Sequence, residues 1–369
     1  MNKGISTIFI MLGSDCNANC TYCMQGDKET KICAPLPKEI DNSIYHFIDD
    51  MCMDTIKHRE NGMNGKFTVL FFGGEPLLYL NKIKEIVERL ERMNSFISFS
   101  IITNGILIDK EVSEYLNKHN FHVTLSWDGK NSKEIRGYDI FNMGNAEHIL
   151  MLNQLSLNAI ISNKAYPEDI FESFAEVNAA YSKIHGYPIN PMTEPLIIES
   201  KCSSINLDEF DNDKIYKQSK DAVLWYLNVK EKQIGLEPET YPKFKIMESL
   251  YQTFKGNQKK DAYIFRESCC CGWWDINIDL AGNLYPCHNI KKSLGNINDI
   301  GMNEYFMNLM EYETKETFSR KECNGCEVKH LCEGGCKMVT DETKERYCTY
   351  KKNLYRGILD GIKEYEEET

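Results

Sequence analysis

The feature that most constrains the fold is a regular alternation of strand-like and helix-like segments along the first half of the chain. Segments rich in β-branched and aromatic residues lie at 6–12, 67–72, 97–103, 122–126, 157–162 and, interrupted by prolines, 188–198. Helical patterns lie between them at 38–59, 81–93, 110–118 and 167–183, the third with Asp109 as its N-cap. Such strand–helix units build a parallel sheet. Because six units are fewer than the eight of a closed barrel, we predict an α/β fold with a partial, TIM-like (β/α)6 barrel.

The remainder of the chain differs in composition from this first half. The predicted organisation is a barrel over 1–205, a helical bridge over 206–267, a cysteine-rich domain over 268–350 and a terminal helix over 351–369. Within the cysteine-rich part, apolar and polar residues alternate on both sides of Ala281-Gly282-Asn283. A glycine-containing turn between alternating segments predicts a β-hairpin over 275–285.

Composition and charge argue against several classes of protein. The formal net charge of −12 does not suit a nucleic-acid binder, which needs a basic surface to neutralise phosphates. The sequence has no apolar stretch long enough to cross a bilayer and no signal peptide, so we expect a cytoplasmic protein that is not bound to membranes. Thiols stay reduced in the cytosol. Fifteen cysteines in such a protein therefore indicate metal or cluster ligation rather than disulfides.

The first cysteine group follows the first predicted strand and reads Cys16-Asn-Ala-Asn-Cys20-Thr-Tyr-Cys23. Three thiolates this close in sequence can hold three irons of a four-iron cluster, which leaves the fourth iron open to a substrate or cosubstrate. A zinc site is the alternative, but structural zinc takes four ligands and usually paired CXXC arms.

Three further unusual segments follow later predicted strands. They are Gly73-Gly74-Glu75-Pro76, Thr103-Asn104-Gly105 and Ser126-Trp127-Asp128-Gly129. Since the carboxyl ends of parallel strands meet at one edge of a sheet, we expect these loops beside the first cysteine group. Glycines allow a close backbone approach, and a carboxylate or carbonyl can accept from an ammonium group.

In this setting, CX3CX2C and the GGE segment resemble the signature of the radical SAM superfamily. The resemblance implies a [4Fe–4S] cluster on Cys16, Cys20 and Cys23, with S-adenosylmethionine (SAM) on the open iron. It also implies reductive cleavage of SAM to a 5′-deoxyadenosyl radical, which abstracts hydrogen from an unactivated carbon. The implied SAM contacts are Gly73, Gly74 and Glu75 for the methionine amino group, Asn104 and Ser126 for the ribose, and Arg136 for the carboxylate. The alternatives are ordinary turn residues at Asn104 and Asp128 and a solvated surface charge at Arg136.

The last third of the chain carries a longer cysteine pattern. Its spacing is CX10GX4C, then CX2CX5CX3C and a final cysteine, formed by Cys271, Gly282, Cys287, Cys323, Cys326, Cys332, Cys336 and Cys348. This array resembles the SPASM domain of peptide-modifying radical SAM enzymes. The resemblance implies two auxiliary [4Fe–4S] clusters, three clusters in all: an outer one on Cys323, Cys326, Cys332 and Cys348, and an inner one on Cys271, Cys287 and Cys336. Cys269 or Cys270 is available as a fourth inner ligand; otherwise that iron is open. A zinc ribbon over 323–336 is the alternative.

The implied function is that of a radical SAM/SPASM maturase, which crosslinks or otherwise oxidises an unactivated carbon of a ribosomally made peptide. The second hypothesis is an anaerobic sulfatase-maturating enzyme, which makes formylglycine from Cys or Ser. That family has an acidic residue where this chain has His288 and a Gln where it has Phe72. His288 is therefore the candidate catalytic base, since an imidazole can take a proton near neutral pH. A non-catalytic iron–sulfur electron carrier or redox sensor is the third hypothesis.

The expected partners are a peptide or protein substrate and an electron donor such as flavodoxin or ferredoxin. The sequence shows no small leader-binding domain before the first strand. A leader peptide would then be recognised by the barrel and bridge, by a separate leader-binding protein, or not at all.

Overall fold

Nine strands form one sheet in the computed structural model, which describes residues 5–25, 36–58, 66–194, 205–232, 236–258, 272–316, 323, 325–332, 334–336 and 338–368. The strands are β1 Thr7–Met11, β2 Phe67–Phe72, β3 Ile97–Thr103, β4 His122–Ser126, β5 Leu155–Ile160, β6 Asn190–Glu194, β7 Asp275–Asp279, β8 Asn283–Tyr285 and β9 Gly295–Asn296. Their order in the sheet is β6-β5-β4-β3-β2-β1-β7-β8-β9. Strands β1 to β7 pair in parallel, and β8 and β9 add antiparallel pairs at one edge. The predicted α/β fold with a parallel, open sheet is confirmed.

Helices connect the parallel strands and continue through the last part of the chain. They are α1 Asn42–His58, α2 Leu80–Met93, α3 Lys110–Lys118, α4 Ser132–Arg136, α5 Ala146–Leu150, α6 Pro167–His185, α7 Asn212–Glu231, α8 Tyr241–Gln258, α9 Met302–Glu316, α10 Lys329–Cys332 and α11 Lys344–Glu368. The predicted N-cap of α3 is confirmed, because the Asp109 carboxylate accepts from the backbone N–H of Val112 at 2.9 Å. The first helix begins later than predicted, because Asp41 accepts from the backbone N–H of Ser43 and so caps its start. No described helix is both long and apolar enough to span a bilayer.

The two faces of the sheet have different chemistry. Side chains of one parity, such as Ile8, Val69 and Ile101, are completely buried in the main apolar core. Residues of the other parity include polar groups that bond across strands: His122 Nε2 lies 2.6 Å from Ser156 Oγ. This alternation gives the sheet an apolar face, which packs in the core, and a partly polar opposite face.

Strand β7 extends the sheet beyond β1, which the sequence pattern did not predict. The predicted hairpin is confirmed: its turn is closed by the Asp279 carboxylate, which accepts from the backbone N–H groups of Ala281 and Asn283 at 3.0 Å each. The parallel pairing of β7 with β1 places the turn of this hairpin beside the carboxyl end of β1. The segment after β8 contacts β1 and β2 through His288, which lies against Phe9 and Phe72. The predicted domain boundaries at 205, 267 and 350 stay a prediction.

The terminal helix α11 packs closely against α7. A Cβ atom added at Gly357 would overlap the backbone carbonyl oxygen of Tyr216, and one at Gly361 would press against Val223. The helix begins at Lys344, seven residues before the predicted start at 351. Cys348 therefore lies within its first turns, which fixes that thiol to a rigid element.

Candidate active site

The CX3CX2C loop lies directly against the GGE loop, as predicted from their places after β1 and β2. Backbone N–H groups of Gly74 and Glu75 donate to the carbonyl oxygens of Gly13 and Asp15 at 2.9 and 2.8 Å. A Cβ atom at Gly74 would overlap the Asp15 carbonyl oxygen, so this approach requires glycine. Gly74 thus allows the GGE loop to hold the start of the cysteine loop at the edge of the sheet.

The Glu75 carboxylate ties the GGE loop to the loop after β3. The residue is only 1% exposed, and its oxygens accept from Thr103 Oγ1 at 2.7 Å and from the backbone N–H of Asn104 at 2.8 Å. Burial raises the pKa of Glu75 to about 7, and these hydrogen bonds oppose the rise. With its carboxylate bonded to protein donors, Glu75 positions the loops, and the loop carbonyls are the acceptors available for an ammonium group.

Asn104 reaches the cysteine loop from the end of β3. Its side-chain amide donates to Asn17 Oδ1 at 2.7 Å and lies 3.8 Å from Cys16 Sγ. The Tyr138 hydroxyl donates to its backbone carbonyl at 3.1 Å. Asn104 is therefore a buried residue beside the first cysteine group, and it also has the role of a turn residue, because its Oδ1 accepts from the backbone N–H of Ile106 at 2.9 Å.

Arg136 is buried beside the same loop and is not a solvated surface charge. It is 5% exposed, its Nε donates to Asp128 Oδ2 at 2.6 Å, and its NH1 lies 3.8 Å from Cys20 Sγ. Asp128, with no exposed surface, also accepts from the Tyr22 hydroxyl at 2.7 Å and from the backbone N–H of Ile160 at 2.8 Å. The guanidinium therefore bridges the loop after β4 and the cysteine loop.

The thiols of the first cysteine group fit a cluster that supplies positive charge. Burial raises the pKa of Cys16 and raises that of Cys20 to about 11, and the Arg136 charge opposes the rise at Cys20. The charge of Cys23 raises the pKa of both thiols, so the three sulfurs lie close together. Ser126, the remaining implied SAM contact, is half-buried at the end of β4, on the same edge of the sheet.

The implied outer-cluster cysteines are also brought together. Burial raises the pKa of Cys332, the Lys351 charge lowers it, and the charges of Cys323 and Cys326 raise it further. The charges of Cys332 and Cys323 likewise raise the pKa of Cys348. In the described part of the chain, no three His, Cys, Asp or Glu side chains are placed to hold a single metal ion. Four neighbouring thiols are nevertheless the kind of donor set that a four-iron cluster takes, and their role as its ligands stays a prediction.

Part of the implied inner-cluster set lies outside the described residues, namely Cys269, Cys270 and Cys271. Cys287 and Cys336 are both buried, and their sulfurs accept from the backbone N–H groups of Asn289 and Met338 at 3.4 Å. The composition of the inner site therefore stays a prediction.

His288 lies against two aromatic rings. Its imidazole stacks on Phe9 with ring centroids 5.1 Å apart and meets Phe72 edge-on at 4.4 Å. Burial lowers the pKa of His288 to about 4, so the ring is neutral near pH 7 and a weak proton acceptor. Phe9 and Phe72 belong to β1 and β2, so this aromatic group lies on the two strands that precede the first cysteine group and the GGE loop.

Sequence reasoning missed two polar residues of these sites. Asp128 is predicted only as part of the loop after β4 or, as the alternative, as an ordinary turn residue, yet its carboxylate accepts from Arg136 and Tyr22. Lys351 was taken only as part of a helix, yet it is a buried cation next to Cys332. The available signals are a carboxylate after a strand, eight residues before an arginine, and a lysine about one helical turn after a predicted ligand cysteine.

The comparisons with known proteins agree with this geometry. Residues 10–187 match the radical SAM superfamily model. The chain is 26% identical to a cysteine-type anaerobic sulfatase-maturating enzyme of Clostridium perfringens, over 95% of each chain. It is also 26% identical to the radical SAM cyclopropyl synthase TigE of Paramaledivibacter caminithermalis, over 90% of this chain and 68% of that protein.

Solved structures of native anSMEcpe have the same fold. The one with bound AdoMet aligns with a TM-score of 0.67 and 21% identity, over 98% of this chain and 100% of that one. The one with AdoMet and the Kp18Cys peptide aligns with a TM-score of 0.65 and 21% identity, over 98% and 99%. The match over residues 10–187, together with the cysteine loop and its buried neighbours, shows that this chain carries a radical SAM domain.

Proposed function

We propose that this protein is a radical SAM maturase with two auxiliary [4Fe–4S] clusters, which oxidatively modifies an unactivated carbon of a ribosomally made peptide. Crosslinking is one such modification. The observation that carries the proposal is the presence of two separate thiol groups in one chain. Cys16, Cys20 and Cys23 lie at the mouth of the barrel, and Cys323, Cys326, Cys332 and Cys348 lie together near the terminal helix.

The first thiol group suits a cluster with a bound SAM. Three thiols leave one iron without a protein ligand, and the surrounding loops supply donors and acceptors within a buried edge of the sheet. Arg136 is the cation for the methionine carboxylate, and the carbonyls of Gly73 and Gly74 are acceptors for its amino group. When bound, the reduced cluster supplies the electron that cleaves SAM to a 5′-deoxyadenosyl radical. The chain's own part is to hold SAM and exclude water at this edge.

The second thiol group supports a peptide substrate. Relatives that align with nearly all of this chain are named for maturing a sulfatase protein, and one solved structure of anSMEcpe contains a peptide. TigE is named as a cyclopropyl synthase. We infer that this chain likewise acts on a residue within a peptide, with the auxiliary clusters beside the substrate.

The aromatic group of Phe9, Phe72 and His288 favours peptide maturation over formylglycine formation. By the family resemblance, sulfatase-maturating enzymes have a Gln at the position of Phe72 and an acidic residue at that of His288, whereas here these two side chains pack against each other. A neutral, stacked imidazole is a poor base, and an aromatic wall suits an apolar or aromatic substrate side chain. Formylglycine formation is the second candidate, supported by the 26% identity to the clostridial maturase.

The remaining partners follow from the same proposal. A cluster that is reduced once per turnover needs an electron donor, for which flavodoxin or ferredoxin is suitable. A precursor peptide would be recognised by the barrel and bridge or by a separate leader-binding protein. A cytoplasmic location stays a prediction.

The first test of the proposal is SAM cleavage. Wild type and the Cys16/Cys20/Cys23→Ala variant would be reconstituted anaerobically and given SAM and dithionite, and 5′-deoxyadenosine would be quantified. We expect the product from wild type and none from the variant. Absence of 5′-deoxyadenosine from wild type would favour the electron-carrier hypothesis instead.

The second test separates the two enzyme candidates. Wild type and His288→Ala would be incubated with a short peptide encoded beside the gene and, separately, with a sulfatase peptide that contains the target Cys. We expect mass spectrometry to show that the peptide encoded beside the gene loses two hydrogens. The His288→Ala variant should form the same product. Formylglycine in the sulfatase peptide, abolished by His288→Ala, would establish the alternative.

A further inference from the structure

Lys351 is a positively charged residue buried at the C-terminal cysteine group. It is 6% exposed and lies on α11, three residues after Cys348. Residues three apart on a helix share one face, so the lysine stem and the Cys348 thiol project from the same side of α11. Burying an ammonium group is costly unless negative charge or hydrogen bonds compensate.

The contacts of Lys351 supply dipoles but no full negative charge. Its Nζ donates to the Tyr355 hydroxyl at 3.1 Å and lies 4.8 Å from the centroid of the Tyr355 ring. It also lies 5.8 Å from the centroid of the Tyr347 ring. Among the ion pairs found in the described part of the chain, none joins a carboxylate to Lys351, whereas exposed lysines of the same helix such as Lys363 do pair with glutamates.

Cys332 is the cysteine on which the Lys351 charge acts, and this charge opposes the effect of burial and favours the thiolate. The cations that act on Cys348 are Lys352 and Lys344. Tyr347, which faces Lys351, also feels the charges of Cys332 and Cys336. A cluster bound by four thiolates carries net negative charge, because the iron–sulfide core neutralises only part of the charge of its ligands.

We propose that Lys351 is the buried counter-cation of the outer auxiliary cluster and sets its reduction potential. The inference rests on the proposed function, in that Cys323, Cys326, Cys332 and Cys348 are taken to ligate that cluster. Reduction adds one negative charge to the cluster, so a fixed cation nearby stabilises the reduced form more than the oxidised form. Lys351 therefore makes the outer cluster easier to reduce. It is a positioning residue and touches no substrate.

The test is a redox titration of the anaerobically reconstituted full-length chain, followed by electron paramagnetic resonance. The signal that disappears in Cys332→Ala identifies the outer cluster. Lys351→Met keeps the apolar stem and removes the charge, and Lys351→Arg keeps the charge. Lys363→Met is the control, since it removes an exposed lysine from the same helix.

We expect Lys351→Met to shift the potential of the Cys332-dependent signal to more negative values, or to lose about four irons per chain where the charge is needed to retain the cluster. Lys351→Arg and Lys363→Met should keep the wild-type potential and iron content. Full iron content with an unchanged potential in Lys351→Met would overturn the inference. Equal loss of iron in Lys351→Met and Lys351→Arg would also overturn it, because packing rather than charge would then be responsible. Wild type without any Cys332-dependent signal would instead refute the proposed function.

Discussion

At the residue scale, Asp128 organises the SAM-side site although it is not itself an implied SAM contact. One carboxylate accepts from Arg136, Tyr22 and the backbone of Ile160, and so joins three segments. Sequence could indicate Arg136 as a candidate because a guanidinium suits a carboxylate ligand. It could not predict the Asp128–Arg136 pair, because the sequence of a turn does not show where the Asp128 side chain points.

Asp128→Asn should be strongly destabilising. The substitution keeps the shape but removes the charge, and it leaves the buried Arg136 guanidinium without a counter-ion. Breaking a buried pair in this way costs roughly 3–5 kcal/mol. Anaerobic denaturation with urea would measure the change, with Glu172→Gln as the control. Glu172 pairs with Lys130 at the exposed surface, where the loss should be about 1 kcal/mol or less. Equal stability of the two variants would contradict the role given to Asp128.

At the element scale, local patterns predicted the barrel strands well. The bounds of β2, β3 and β4 agree with the predictions, because their β-branched and aromatic runs are ended by glycine- or asparagine-containing loops. Strand β5 begins two residues earlier than predicted, since Leu155 pairs with Val123. The parallel pairing of β7 with β1 was not predictable from pattern, because it joins segments more than 260 residues apart.

The contact between α7 and α11 depends on glycine. Gly357→Ala adds a Cβ atom against the carbonyl oxygen of Tyr216 and should push the helices apart. Overpacking of this kind costs about 1–3 kcal/mol of unfolding free energy. Gly256→Ala in α8 is the matched control, because a Cβ atom there meets nothing within 4 Å. The control should gain about 0.5–1 kcal/mol from helix propensity. A gain in both variants, measured by urea denaturation, would show that α11 can move away at no cost.

At the scale of the whole molecule, one continuous sheet connects the first cysteine group with the segment that carries Cys287. The first group follows β1, and the segment with Cys287 follows β8, which reaches β1 through β7. The spacing of the cysteines along the sequence was enough to predict both cysteine groups. Their placement relative to one another depends on long-range pairing, so it could only be seen in the structure.

The central claim is that one chain holds a SAM-binding cluster and two auxiliary clusters. Its most direct test is the iron and sulfide content per chain after anaerobic reconstitution, for wild type and for Cys16/Cys20/Cys23→Ala. We expect about twelve irons in wild type and about eight in the variant. About four irons in wild type, with zinc in the remaining thiol sites, would keep the SAM chemistry but contradict the auxiliary clusters and the case for a peptide substrate.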